Sequence, residues 1–205
     1  KEFPDPDCPP HFYAHGHNQQ FRHFGVLMQY MNRVCTLISS GTRKSDVAVL
    51  YHAEAEWTGE CMLDEKVARV LEENQISFDI IPSDVFADPD KYCADLGEGL
   101  KINTQVYNAL VIPYAQFISK ATIKGIELLQ KSGFPVLFLE KLPEGSFESG
   151  TDINAISQST VLALGNLVKA LKEEYAASQI TTIPPSSYLR VQQVCGDEDV
   201  YYLVN

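Results

Sequence analysis

Four side chains with chemical reach crowd into the six residues from His52 to Trp57. A histidine can act as a general acid or base, carboxylates such as Glu54 and Glu56 can serve as acid, base or nucleophile, and the ring of Trp57 offers a flat apolar face. They follow at once on the apolar run Val47–Tyr51. That run reads as a buried parallel strand, and in open α/β sheets ligands bind beyond the carboxyl ends of the strands. Tyr114 follows a second such run, Ala109–Ile112, and is expected at the same edge. His52, Glu54, Glu56, Trp57 and Tyr114 are therefore the candidate ligand or interface residues.

The chemistries that such an edge commonly hosts can be tested against the residues present. A nucleotide or flavin site needs glycines after the first strand, so that backbone N–H groups cradle phosphate. The loop His52–Glu60 has one glycine, Gly59, and three glutamates, which repel phosphate. A nucleophile elbow needs Ser or Cys on the sharp turn after a central strand. The matching turn, Ile112-Pro113-Tyr114-Ala115-Gln116, has neither, and Ala115 cannot attack anything. Glu54, Glu56 and Glu60 could furnish a glycosidase's carboxylate pair. They also suit a charged first turn before a helix at Leu63, where the dipole favours acids. His11, His15, His17 and His23 could suggest metal, but no cysteine or fixed scaffold accompanies them. The expectation is no catalytic residue, no metal and no cofactor on this chain.

Composition narrows the partners. The net charge of −11, from 27 acids against 16 Lys and Arg, argues against nucleic acid and anionic membranes. No apolar run approaches the ~20 residues of a membrane helix. The cysteines, Cys8, Cys35, Cys61, Cys93 and Cys195, are scattered without a Cys-x-x-Cys pair. That pattern suits free thiols in a reducing, cytoplasmic setting.

The elements that must position the candidate residues read off periodicity. Residues 1–20 hold four prolines and three of the five histidines and read as an irregular arm. Phe24, Leu27, Met28, Met31, Val34, Cys35 and Ile38 recur at helical spacing within Phe21–Ser40, with Gly41 as the expected C-cap glycine. Then come a strand Val47–Tyr51, a helix Leu63–Asn74, a strand Phe78–Pro82 and a loop or short helical turn Asp84–Lys91. A short strand Leu100–Asn103 precedes strand Ala109–Ile112. Ser119 should cap a helix Lys120–Lys131 closed by Gly133, followed by strand Val136–Leu139. A long helix is expected over Ser157–Ala176, with Val161, Leu164, Leu167, Val168 and Leu171 on one face. Apolar strands alternating with amphipathic helices imply a doubly wound parallel sheet, flavodoxin-like. Residues 188–194 and 200–204, about a Gly196-Asp197 turn, read as a β-hairpin. The expected organisation is an N-terminal arm and helix over 1–45, an α/β domain over 46–183 and a hairpin over 184–205. Both outer segments read as parts of truncated neighbouring domains, with Asn205 a cut in a longer protein.

Phe21 to Phe86, Tyr107–Pro113 and Phe134–Phe138 resemble the segment after the catalytic barrel in large bacterial glycoside hydrolases. The similar families are the family 42 β-galactosidases and the family 106 α-L-rhamnosidases. Tyr30-Met31-Asn32-Arg33 resembles the end of the barrel or its linker, Asp46–Tyr51 the first strand of a class I glutamine amidotransferase-like domain, and Asp199–Asn205 the opening of a β-sandwich. The resemblance implies a domain that builds the trimer in family 42, with an upstream catalytic barrel and a downstream β domain as partners in the same chain. It places the glycosidase acids outside this sequence. Three functions stay open: a non-catalytic interface module of a carbohydrate-active enzyme, a small-molecule or sugar-binding domain at the strand ends, and an independent glycosidase.

Overall fold

The computed structural model describes residues 19–148, 153–175, 177, 180, 182–184 and 186–205. His11, His15, His17 and Cys8 lie outside the described residues. The chain divides into two compact units. One comprises 1–43 with 194–200, the other 44–193 with 201–205.

In the first unit a 3-10 turn at Phe21–His23 runs into helix α1, Phe24–Ile38. Its apolar stripe is there, but α1 buries no residue, and Val26, Tyr30 and Met31 are exposed. The expected glycine cap is a different device. Ser39 is the C-cap, and Gly41 is needed because a Cβ there would overlap the Cys195 carbonyl. Strand β1, Thr42–Arg43, makes that approach by pairing antiparallel with Val194 and Cys195.

The second unit carries the candidate site. Its elements in chain order are β2 (Val47–Tyr51), α2 (Ala55–Thr58), α3 (Asp64–Glu73), β3 (Phe78–Pro82) and α4 (Asp84–Ala87). An insert of β4 (Ala94–Asp95), β5 (Lys101–Ile102) and β6 (Gln105–Val106) follows. Then come β7 (Ala109–Ile112), β8 (Phe117–Ile118), α5 (Lys120–Lys131), β9 (Val136–Leu139), β10 (Gly145–Ser146), β11 (Thr160–Leu162) and α6 (Leu164–Glu174). The chain closes with strands β12 (Arg190–Cys195) and β13 (Val200–Val204), the hairpin that the alternation at 188–204 implies, in a sheet of order β1-β12-β13.

Five strands form a parallel sheet of order β11-β9-β7-β2-β3. Numbered among themselves, the strands run 2-1-3-4-5, the flavodoxin-like order. Successive residues of β2 face opposite ways, and both sides are covered. Ala48 and Leu50 pack with Leu110, Ile112, Phe138 and the α5 residues Ile123, Ile126 and Leu129. Val47 and Val49 pack with Val111, Leu137, Val67 and Leu71 of α3, and Leu167 and Leu171 of α6. Burial on both faces explains the unbroken apolar runs. Because parallel crossovers share one hand, reversing the direction of strand addition after β3 moves the connection to the other face, which separates α3 from α5.

One expected helix is shorter than its periodicity suggests. Thr160–Leu162 is the fifth strand, paired with Leu137–Leu139, and α6 begins only at Leu164. Val161 is 39% exposed on this edge strand and is no part of the helical stripe. A β-branched Thr-Val pair beside an open sheet edge gains a hydrogen-bonded ladder by extending, which outweighs a weak helical preference.

Candidate functional site

The five strands deliver their following loops to one edge, and the sequence candidates after β2 and β7 stand next to each other there. β2 and β7 are adjacent, and strand addition reverses direction at this pair. In this fold that is the topological switch point, the customary ligand crevice.

His52 leaves β2 and is buried. Its Nε2 lies 2.8 Å from the Pro113 carbonyl, so the N–H tautomer at that nitrogen donates across the switch point. Glu54 precedes the four-residue helix α2, and its carboxylate accepts from the Ser83 hydroxyl at 3.3 Å. Glu56 lies in α2 and is exposed. Residues two apart on a helical turn do not face each other, so Glu54 and Glu56 diverge rather than pair. Trp57 is 84% exposed. Tyr114 is buried, with its hydroxyl lacking a hydrogen-bond partner among the described residues. The Lys141 ammonium sits 4.5 Å from the centroid of its ring. Proximity to the Tyr114 hydroxyl is the largest cause holding the Lys141 pKa up, but the geometry is a cation over a ring rather than a hydrogen bond.

The residue that organises this edge is Gln116, which sequence reasoning passed over as part of an empty turn. Its N–H donates to the Glu60 carbonyl at 2.8 Å, and its carbonyl accepts from the Glu144 N–H at 2.8 Å. Its side chain accepts from the Glu60 N–H at 3.1 Å and donates to the Glu144 carboxylate at 3.0 Å. Gly59, the lone glycine of the first loop, serves this arrangement, because a Cβ there would meet Gln116 Oε1 at 2.5 Å. A long amide within a polar turn is the only sequence signal for it. Glu140 was equally unforeseen. It sits just past β9 with φ of 65°, and its carboxylate accepts from the Leu164 N–H at 2.9 Å, capping α6 in place of the side chain that Ala163 lacks.

Nothing in this arrangement assembles a nucleophile. Ala115 is buried and bridges to Cys61. No residue from Pro113 to Gln116 has the left-handed backbone found at Glu140. Burial, and after it the Glu56 charge, pushes the Cys61 thiol up and away from the thiolate that attack requires. Cys35 is a free thiol exposed on α1. Among the described residues no three His, Cys, Asp or Glu side chains come together as a metal site. Among them, too, no helix is long and apolar enough to cross a membrane.

No protein-family model matches the chain, and no curated protein sequence does. In fold it is similar to an exo-carrageenase of glycoside hydrolase family 42 from Bacteroides ovatus, with a TM-score of 0.50 and 10% identity. The match covers 79% of this chain and 23% of that one, so the chain spans under a quarter of the length of the enzyme it resembles in fold.

Proposed function

We propose that this chain is a non-catalytic interface module of a carbohydrate-active enzyme of the glycoside hydrolase class, with an amidotransferase-like fold that has no amidotransferase nucleophile. The observation that carries the reading is the use of the switch-point residues. His52, Glu54, Gln116 and Glu140 are each engaged in bonds that hold the edge together, and Ala115 stands in the turn where a nucleophile belongs. The fold likeness to a family 42 enzyme supports the carbohydrate context. In this reading the bond-breaking carboxylates belong to a barrel in the same longer protein. Trp57, exposed beside Glu56, contacts that barrel, a downstream β domain or a second copy in a homo-oligomer.

The second reading is a sugar-binding site at the strand ends. The buried, unpartnered Tyr114 hydroxyl and the open Trp57 ring favour it, since a buried hydroxyl without a partner costs about 1–3 kcal/mol.

Hydrolysis of a panel of nitrophenyl glycosides by this polypeptide tests the first reading. Rates no higher than buffer are expected. Turnover that disappears in Glu54→Gln or Glu56→Gln would replace it with an independent glycosidase.

A further inference from the structure

A cavity of about 410 Å³ opens at the opposite, amino edge of the sheet, where Pro135 and Val136 begin β9 and Thr160 begins β11. Its size falls within the ~300–1,000 Å³ range of small-molecule sites. It is lined by Gln130, Phe134, Gln158, Ser159, Thr160 and Tyr175, together with Gly133 and the two β9 residues. Three turns of structure converge there. Helix α5 ends in a Schellman cap, with Gly133 at φ of 78°, its N–H donating to the Gln130 carbonyl, and the Phe134 N–H donating to the Leu129 carbonyl. The residues before β11 supply Gln158 and Ser159. The end of α6 brings Tyr175, whose carbonyl accepts from the Asn108 side chain.

The chemistry of the lining is unusual for this protein. A chain with 27 acids and 16 Lys and Arg has placed no charged side chain in it. A phosphorylated, sulfated or carboxylated ligand would find no Arg or Lys in the lining, and the carboxylate charge felt there, that of Glu174 beside Tyr175, would repel it further. A purely apolar ligand would cover the amide of Gln158 and the hydroxyl of Thr160 without replacing their water, which is costly. What matches is a neutral molecule dense in hydroxyls with one apolar face. Ser159 Oγ accepts from Gln130 Nε2 and donates to the Ile156 carbonyl at 2.6 Å. That leaves Gln130 Oε1 without a partner among the described residues, and the same holds for the side chains of Gln158 and Thr160. Phe134 and Tyr175 add aromatic surface of the kind on which sugar rings lie. Burial, then the Glu174 charge, holds the Tyr175 phenol up, so it stays a neutral donor.

We infer that this amino-edge groove binds uncharged glycan, as a holding site remote from the strand-end cluster. The site follows from its lining alone; only the choice of glycans to try rests on the carbohydrate-enzyme reading.

Affinity electrophoresis of the intact 205-residue chain tests it, in gels containing soluble galactan, arabinoxylan or laminarin, with polygalacturonate and carrageenan as charged controls. Retardation is expected in at least one neutral gel and in neither charged gel. The paired substitution Gln158→Ala and Thr160→Ala should weaken it at least about five-fold, the effect of losing roughly one hydrogen bond. Both side chains are exposed, so circular dichroism should find the fold intact. Trp57→Ala should leave retardation unchanged. No retardation in any neutral gel, retardation that survives the paired substitution, or retardation that Trp57→Ala removes would each overturn the inference. None of these results bears on glycoside turnover, so failure here and failure of the module reading are separable.

Discussion

At the carboxyl edge of the sheet, His52 holds the Pro113 carbonyl, Glu54 holds Ser83, Gln116 ties Glu60 to Glu144, and Glu140 caps α6. At the amino edge, Gln130 Oε1, Gln158 and Thr160 line a cavity and take no hydrogen-bond partner among the described residues. The first edge is where this fold customarily places ligands, and the polar side chains just named there, charged and neutral, are engaged, whereas the Tyr114 hydroxyl has no partner among the described residues. The groove at the second is lined by neutral residues, of which Gln158 and Thr160 are exposed. The contrast teaches that residue types able to do chemistry are poor guides until their partners are known. A carboxylate that already accepts a hydrogen bond from a hydroxyl and braces a loop is a structural part, whatever its position in the fold.

The contrast breaks most visibly at His52. If its ring braces the carboxyl edge, His52→Ala leaves a buried carbonyl without its donor and opens a void. The expected loss is about 3 kcal/mol, read from the urea midpoint with an unchanged slope. A loss under about 1 kcal/mol would mean that the His52 to Pro113 contact carries nothing and that the ring is free for other work. Gly133→Ala is the corresponding cut at the amino edge. A Cβ there meets nothing within 4 Å, so the cost is conformational, about 1 kcal/mol for holding alanine at φ of 78°. Groove binding should fall with it only as far as the α5 cap loosens.

These two sites also mark what the sequence made legible. Gly133, Ser119 and the α5 boundaries were readable because capping is local: the Ser119 hydroxyl accepts from the Thr122 N–H within one turn. The runs at β2, β7 and β9 were readable because burial on both faces removes polar residues from a strand. The fifth strand was not. Thr160–Leu162 is three residues long, half exposed, and extended only because Leu137–Leu139 lie alongside. The candidate residues show the same division. Their gathering at one edge followed from strand order, whereas the roles of Gln116 and Glu140 depend on partners more than twenty residues away. The amino-edge groove was missed for that reason: its lining comes from 130–136, 158–160 and 175, and no one stretch carries a motif.

A pH test sharpens the comparison at the amino edge, because Asp46 is a buried acid there. Burial raises its pKa above the ordinary 3.8, and Lys44, at 3.6 Å, offsets part of that. A carboxyl whose folded pKa is raised contributes stability that is fully present below the unfolded value. That contribution is lost as pH rises through the folded one. Asp46→Asn removes this dependence, so the variant should gain on the parent chain as pH climbs from below 3.8 towards neutrality. Urea midpoints measured across that range should diverge in this direction. A gap that closes with rising pH would mean that Lys44 dominates and that the acid is a stabilising ion-pair partner.

The smallest expected effect is at Trp57, and there a null result in one assay sharpens the other. With 84% of its surface exposed, its removal takes little packing from its own fold. Trp57→Ala should shift unfolding free energy by less than about 0.5 kcal/mol, or under ~2 °C in Tm for a chain of this size. As the only tryptophan, it also reports on itself. In dilute solution its emission should be that of a solvated indole. If Trp57 belongs to an interface between copies, emission shifts to the blue as concentration rises, and Trp57→Ala keeps the chain monomeric at the same concentrations. If the partner is a different domain, emission stays red at every concentration of this chain and shifts only when that domain is present. A blue-shifted spectrum at high dilution would place the ring against its own chain, and the carboxyl edge would then lose its large exposed aromatic as a partner contact.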